Sequence, residues 1–140
     1  MITFIRNREN PLVNLGVGKV HLIKKWLDEM NIKNYVINDD LTIDVNGDVN
    51  LNNKDLIKLS DYIKFNRVEG YFTCSFNQLN SLQGCPNYIG LSFACDYNQL
   101  TSLEGCPKYI GGSFWCNANK RKFIKDEIKK LCNVKGHIHV

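Results

Sequence analysis

The chain has 140 residues, of which 44% are hydrophobic and 23% are charged, and its formal net charge is +4. This size and composition are ordinary for one globular domain and exclude a low-complexity or collagen-like chain. They also argue against a membrane helix, because no apolar run approaches the roughly 20 residues that span a bilayer.

The first 18 residues form a segment without a regular period. They contain Asn10-Pro11 and two glycines, so we expect residues 1–18 to be an extended arm or a partly ordered tail. The first ten residues lack the apolar core of a signal peptide. We therefore expect a cytoplasmic protein that does not associate with membranes.

An amphipathic helix followed by a hairpin is predicted for residues 19–44. Apolar residues recur at spacings of three and four with charged residues opposite. Two short β-prone runs then surround the turn-forming Asn38-Asp39-Asp40. We expect this segment to cap the N-terminal end of the fold; the alternative is a dedicated partner-binding helix. The apolar positions of the helix are Val20, Ile23, Leu27 and Met30.

A repeat with a period of 21 residues dominates the middle of the chain. Residues 70–90 align with residues 91–111, and residues 112–120 begin a third copy. An imperfect earlier copy aligns after a shift of 23 residues, which places Val49 on Phe72. A fixed period of this size predicts a solenoid, here over residues 45–119 with about three and a half coils.

Each coil is predicted to contain one short strand. Phe and Cys stand two residues apart in each copy, so both side chains lie on the same face of that strand. Two leucines follow and point inward, whereas Asn forms a turn and, stacked over successive coils, a ladder. Gly-Cys-Pro turns the chain back, and Ile89 and Ile110 anchor the return segment. The positions predicted to be buried are Phe72, Cys74, Leu79, Leu82, Phe93, Cys95, Leu100, Leu103, Phe114 and Cys116.

The pattern F-x-C-x-x-N-x-L-x-x-L resembles the leucine-rich repeat L-x-x-L-x-L-x-x-N-x-L, with Phe and Cys in the strand positions. The fuller pattern, F-x-C-x-x-N-x-L-x-S-L-x-G-C-P-x-Y-I-G, resembles a family of small proteins of bacteriophages and their low-GC hosts. The array departs from the usual pattern at Leu91, where the next copy has Gly112, and it stops after Asn119. We therefore expect one α+β domain of residues 1–140, a short leucine-rich-repeat-like solenoid with an N-terminal helix/hairpin cap and a C-terminal helical cap.

Five of the six cysteines follow the repeat, which indicates small buried hydrophobic residues without a bonding partner. Zinc sites characteristically pair ligands two to four residues apart, and no C-x-x-C is present. We expect reduced cysteines, no metal and no cofactor. Cys132, in the predicted C-terminal helix, is the expected free thiol.

The positive charge is concentrated at the C-terminus, where residues 118–140 carry seven basic and two acidic side chains. Residues 120–140 are predicted to form a helical cap with apolar Phe123, Ile124, Ile128 and Leu131, and the final GHIHV a short strand. The lysines of this helix either form the solvated face of the cap or contact nucleic-acid phosphates. They are Lys122, Lys125, Lys129 and Lys130.

No pattern of catalytic or phosphate-binding residues is present, so we expect a non-enzymatic protein. Exposed aromatic residues are predicted on one side of the sheet, and such clusters on a rigid scaffold are typical of protein-binding surfaces. The alternative is that the caps or the arm cover them. These residues are Tyr71, Phe76, Tyr97 and Trp115.

The leading functional prediction is a protein-binding module. The bacteriophage resemblance implies a host or phage protein as partner, with binding or inhibition of a host factor or defence system. One alternative is a structural component of a virion or another self-assembling structure. A second alternative is nucleic-acid binding through the basic C-terminal helix. The oligomeric state is left open.

Overall fold

The computed structural model describes the backbone of residues 11–140 and the side chains of residues 18–140. This part of the chain contains two helices and eleven short strands. In chain order they are α1 (Pro11–Glu29), β1 (Tyr35–Ile37), β2 (Ile43–Val45), β3 (Val49–Asn50), β4 (Phe65–Val68), β5 (Phe72–Thr73), β6 (Tyr88–Ile89), β7 (Phe93–Ala94), β8 (Tyr109–Ile110), β9 (Phe114–Trp115), α2 (Lys125–Leu131), β10 (Asn133–Val134) and β11 (Ile138–His139).

The strands form two sheets, and each coil of the chain contributes one strand to each sheet. Sheet one has the order β1-β2-β4-β6-β8-β10, and sheet two has the order β3-β5-β7-β9-β11. All neighbours are parallel except β1 and β2, which are antiparallel. The chain thus winds as a β-solenoid of about four turns.

The predicted register of the repeat is confirmed. Phe93 pairs with Phe72 on one side and with Phe114 on the other. The imperfect first copy is confirmed too, because Val49 pairs with Phe72. All ten predicted core positions are at most 3% exposed. The stacked phenylalanines contact their neighbours with ring centroids 6.0 and 5.1 Å apart, so they form a continuous column inside the solenoid.

The prediction of one strand per coil is wrong. The return segments also form strands, since β6 pairs with β4 and β8 pairs with β6. The inward role predicted for Ile89 and Ile110 is confirmed, because both are fully buried. A two-residue strand has too little local alternation to be recognised, and its hydrogen bonds come from the coils stacked on either side.

The solenoid extends beyond residue 119, the end that the repeat predicts. β10 adds to sheet one beside β8, and β11 adds to sheet two beside β9. The short strand predicted in the final five residues is thereby confirmed as Ile138–His139. Helix α2 connects β9 to β10, at the place where earlier coils have their Leu-x-x-Leu loops. Segment 120–140 is therefore part of the last turn.

Helix α1 begins at Pro11, within the segment predicted as an arm. Residues 11–18 are therefore helical and not an extended arm, and residues 1–10 lie outside the described part of the chain. Proline is favourable at the first helical position because its fixed φ suits the helix. Three side chains of α1 join the common core, namely Ile23, Trp26 and Leu27. Trp26 contacts Phe65 of β4 edge to face, with ring centroids 6.4 Å apart.

The corner between the two sheets brings the backbones of successive coils into close contact. A Cβ atom at Gly90 would lie 2.1 Å from the carbonyl oxygen of Glu69, in the preceding coil. A Cβ at Gly111 would lie equally close to the carbonyl oxygen of Gly90. Atoms cannot approach to this distance, so these two corners require glycine for the coils to stack at strand spacing.

Candidate functional site

A ladder of asparagine side chains holds the turn that follows each strand of sheet two. Asn98 donates from Nδ2 to the carbonyl oxygens of Cys74 and Cys95, both at 3.0 Å. Its Oδ1 accepts from the backbone N–H of Leu79 at 2.9 Å. Asn77 and Asn119 make corresponding bonds. The predicted ladder is confirmed, and each rung joins an asparagine to the backbone of two coils.

The residue just before each ladder asparagine has a left-handed backbone, and so does Asn53, the equivalent residue of the first coil. The φ angles are 56° at Asn53, 57° at Phe76, 57° at Tyr97 and 56° at Ala118. Asparagine visits this region readily, whereas for other L residues it costs about 1–2 kcal/mol. Phe76 and Tyr97 are bulky, so each occupies a backbone conformation that its side chain disfavours.

Phe76 and Tyr97 form an exposed stacked pair, which we call the aromatic pair. Their ring centroids lie 4.6 Å apart and their planes are within 8° of parallel. The side chains are 51% and 49% exposed. Ring stacking of this kind contributes about 0.5–1.5 kcal/mol. The two left-handed residues together cost about 2–4 kcal/mol, so stacking offsets only part of the backbone strain.

The other two predicted surface aromatics lie elsewhere in the coil. Trp115 belongs to β9 and stacks on His139 of β11, with ring centroids 3.6 Å apart. Tyr71 precedes β5, and its backbone N–H donates to Asp48 Oδ1 at 2.9 Å. Both side chains are exposed. Of the four, the described ring contacts bring together Phe76 and Tyr97 alone.

A second row of planar side chains, not predicted from the sequence, lies on sheet one. Tyr88 and Tyr109 stack on the outward side of sheet one, 5.0 Å apart and within 5° of parallel. The Arg67 guanidinium carbon lies 3.7 Å from the centroid of Tyr88. Arg67 also pairs with Glu69, whose hydrogen bond raises the pKa of the guanidinium. The available signal was the repeated Tyr-Ile: once Ile is inward in a strand, Tyr faces outward.

The side chains of the predicted basic patch are exposed and lie within α2 or just before it. The residues of the patch are Lys122, Lys125, Lys129 and Lys130. Next to them, Arg121 forms a two-bond ion pair with Glu127 at 2.7 and 2.9 Å. These bonds, and the Ile124 N–H that donates to Glu127, lower the pKa of Glu127 to about 2. Because its charge is paired with that of Glu127, Arg121 adds no unpaired positive charge to the patch.

The apolar face predicted for the C-terminal helix is only partly correct. Phe123 and Ile128 are buried, whereas Ile124 and Leu131 are exposed. Ile124 has an extended backbone, with φ −115° and ψ 152°, so it precedes the helix. The helix itself spans only seven residues. Two turns that begin at Lys125 cannot bring all four apolar residues to one side.

All six cysteines are free and buried, so Cys132 is not a special case. Burial raises the pKa of Cys106 to about 11 and the pKa values of Cys116 and Cys132 to about 12. The thiolate is the reactive form, so these groups are poor nucleophiles near neutral pH. The core positions predicted for the repeat cysteines are confirmed.

Within residues 11–140, neither helix is long and apolar enough to cross a membrane. In the same part of the chain, no group of three or more His, Cys, Asp or Glu side chains is arranged to hold a metal ion. Comparison of the chain with protein-family models, with curated proteins and with solved structures finds no match.

Proposed function

We propose that this protein is a non-enzymatic protein-binding module whose contact surface is centred on the aromatic pair. The observation that carries the proposal is the exposure of two parallel rings on residues with a left-handed backbone. An unfavourable backbone conformation at an exposed site is a reasoned starting point for a functional hypothesis.

The fold itself gives no reason for rings at these two corners. Asn53 and Ala118 make the same turn, with nearly the same φ, without a ring. Asparagine at position 76 or 97 would satisfy the backbone better than Phe or Tyr does. What the rings add is apolar area on the surface, which is the usual anchor of a protein interface.

The aromatic pair is also held rigidly before any partner arrives. The backbone N–H of Phe76 donates to Asp96 O at 3.2 Å, and that of Tyr97 donates to Asn117 O at 3.1 Å. The asparagine ladder fixes the residue that follows each ring. A rigid surface loses little conformational entropy on binding, so more of the contact energy appears as affinity.

We further propose that α1 with the hairpin β1–β2 caps the N-terminal end of the solenoid and that α2 caps the last turn. The contact between Trp26 and Phe65 supports the first assignment. The burial of Phe123 and Ile128 supports the second. Caps of this kind keep the terminal coils of a solenoid from exposing apolar edges.

The partner is a protein, and the bacteriophage resemblance of the repeat makes a bacterial host factor the first class to test. The test is capture from a bacterial extract with the tagged full chain, quantified by mass spectrometry. We expect a partner that the wild type and Leu91→Ala retain and that Phe76→Asn/Tyr97→Asn loses. Leu91 is a suitable control because it is an exposed apolar residue at the sheet corner. Equal capture by all three proteins would contradict the proposal.

Two alternative functions are supported by fewer observations. The exposed lysines around α2 are compatible with contact to nucleic-acid phosphates. Self-assembly would use the terminal strands of sheet two, β3 and β11, which end the described sheet on either side. Neither alternative uses the aromatic pair, so the capture experiment separates them from the main proposal.

A further inference from the structure

The aromatic pair belongs to a column of four equivalent corner positions in successive coils. The column consists of Asn53, Phe76, Tyr97 and Ala118, whose φ angles are all 56° or 57°. Equal backbone angles direct the four Cα–Cβ bonds alike, and neighbouring coils stack at the strand spacing of about 4.8 Å. A ring placed over Ala118 would therefore continue the stack that Phe76 and Tyr97 begin.

The face of the Tyr97 ring that is turned away from Phe76 is open. Phe76 covers one face, with the two ring centroids 4.6 Å apart. The other face is turned towards the next coil, where the equivalent residue, Ala118, is exposed and carries only a methyl group. Among the described residues, no second ring and no guanidinium stacks on Tyr97, which stays 49% exposed. At the other end of the column Asn53 carries a larger side chain, so the Ala118 end is the more open one.

The row on sheet one shows a complete stack of three planar groups. The ring of Tyr88 lies between the Arg67 guanidinium, 3.7 Å from its centroid, and the ring of Tyr109, 5.0 Å away. With a planar group at each face, Tyr88 is less exposed than Tyr97. The chain thus fills three successive places on sheet one and only two places at the corner that carries Tyr97.

The unpaired charges beside Ala118 are positive. Lys120 is two residues further along, so its Cα lies at most about 7 Å from that of Ala118. Lys122 lines the same cavity as Ala118, with a volume of about 220 Å³. Both lysines are exposed, and neither belongs to an ion pair among the described residues. These charges favour carboxylates on a partner and disfavour a guanidinium.

We propose that an aromatic side chain within an acidic segment of a partner protein stacks on the open face of Tyr97, over Ala118. The partner's ring takes the place that Phe76 has on the opposite face. Carboxylates on the flanking residues of the partner lie near Lys120 and Lys122. This inference rests on the proposed function and names the chemistry of the partner at that surface.

The test is an NMR titration of the full chain with ¹³C-labelled alanine methyl groups. The chain has two alanines, so Ala118 reports on the site and Ala94 is the internal control. The probes are the blocked tripeptides Asp-Trp-Asp, Asp-Leu-Asp and Lys-Trp-Lys. We expect Asp-Trp-Asp to shift the Ala118 signal alone, with a Kd on the order of 1–10 mM. The Kd should be at least about three times weaker for the other two, because Asp-Leu-Asp cannot stack and Lys-Trp-Lys has the wrong charge.

Four results would overturn the proposal. One is the lack of a saturable Ala118 shift with Asp-Trp-Asp up to about 10 mM. Equal affinity for Asp-Leu-Asp would show apolar contact without stacking. Affinity for Lys-Trp-Lys as high as for Asp-Trp-Asp would refute the charge argument. Tighter binding of adenosine monophosphate than of Asp-Trp-Asp would indicate a site for nucleic-acid bases.

A substitution at Ala118 tests the same place without changing the aromatic pair. Ala118→Leu covers the open face of Tyr97 with an aliphatic side chain, and Leu41, with φ 71°, shows that leucine accepts a left-handed backbone. We expect the Kd for Asp-Trp-Asp, followed by the signals of the peptide's own indole, to weaken at least about tenfold. Asn80→Leu, at an exposed position in another coil, is the matched control and should leave the Kd unchanged. An unchanged Kd for Ala118→Leu would contradict the proposal.

The same variant separates this inference from the proposed function. A captured partner that Phe76→Asn/Tyr97→Asn loses and Ala118→Leu binds normally would overturn this inference alone. A partner that the double variant retains would overturn the proposed function itself.

Discussion

The rings of Phe76 and Tyr97 lie 4.6 Å apart and nearly parallel, although each residue has a left-handed backbone that disfavours a bulky side chain. The repeat places both residues at the same corner of successive coils, one period of 21 residues apart. The buried asparagine that follows each ring fixes that corner. The solenoid therefore holds two aromatic side chains on its surface at a spacing set by its own strand stacking.

The asparagine ladder should be a major source of stability. Asn98→Ala leaves Leu79 N–H and the second lone pairs of Cys74 O and Cys95 O without partners in a buried site. We expect the free energy of unfolding to fall by about 3 kcal/mol or more, as each buried unpaired group costs about 1–3 kcal/mol. Urea denaturation measures this. Asn80→Ala, at an exposed position, is the control and should change stability by no more than about 0.5 kcal/mol. A loss below about 1 kcal/mol for Asn98→Ala would contradict the ladder.

Two glycine substitutions should act in opposite directions. Gly90→Ala places a Cβ atom 2.1 Å from Glu69 O, so the coils must move apart, and we expect a loss of about 2 kcal/mol or more. Gly18→Ala lies in α1 with no other atom within 4 Å of its Cβ. We expect a gain of up to about 1 kcal/mol there, because alanine is the better helix former. Melting temperatures of the two variants check the pair. A stabilising Gly90→Ala would refute the close stacking of the corners.

The buried cysteines should make stability depend on pH above about 9. Burial raises the pKa of Cys106, Cys116 and Cys132 from 9.0 to about 11, 12 and 12 in the folded chain. The unfolded chain loses these protons first, so this contribution is fully present below pH 9 and is lost as pH rises towards 12. Unfolding measured at several pH values should show the decrease, and Cys132→Ala should make it smaller. A thiol reagent at pH 8 should label six groups only after denaturation. Rapid labelling of the native protein would contradict the burial.

The basic patch should not bind nucleic acid appreciably near physiological salt. The lysines are exposed, but no exposed aromatic residue lies among them to stack on bases. Fluorescence anisotropy with labelled single- and double-stranded DNA over a series of salt concentrations measures the affinity. DNA binding that weakens steeply as the salt concentration rises, and that Lys→Glu charge reversals abolish, would contradict this prediction. The reversals are Lys122→Glu, Lys125→Glu, Lys129→Glu and Lys130→Glu.

The sequence predicted the repeat register because the same chemistry returns at a fixed period. Phe93, Cys95 and Leu100 occupy the buried positions expected of them, and Asn98 forms the expected ladder. These features depend on side chains whose burial or hydrogen bonding is repeated in every copy, so two copies suffice to identify them.

The second strand of each coil and the helix start were missed for local reasons. Tyr88–Ile89 is too short for a period of two to be visible, and its pairing with Arg67 and Val68 comes from another coil. Without that strand, the outward row of Tyr88 and Tyr109 was not predicted. In α1, two glycines interrupt the apolar period after Pro11. The stacking of Phe76 on Tyr97 could not be predicted, because it depends on the left-handed backbone of both residues. The conformational preferences of Phe and Tyr do not indicate that backbone.

The central claim is that the aromatic pair is a binding surface rather than a structural requirement of the fold. Phe76→Asn/Tyr97→Asn keeps the turn, because asparagine tolerates the left-handed backbone that Asn53 already has. The relief of backbone strain at two residues, about 2–4 kcal/mol, exceeds the loss of one ring stack, about 0.5–1.5 kcal/mol. We therefore expect the free energy of unfolding of the double variant to be no lower than that of the wild type.

The most direct measurement is the affinity of the captured partner for the wild type and for this double variant, by isothermal titration calorimetry. Loss of a central aromatic anchor costs at least about 2 kcal/mol of binding, so we predict a Kd at least about 30 times weaker, with folding intact. A double variant that folds as stably as the wild type and binds the partner with unchanged affinity would contradict the account.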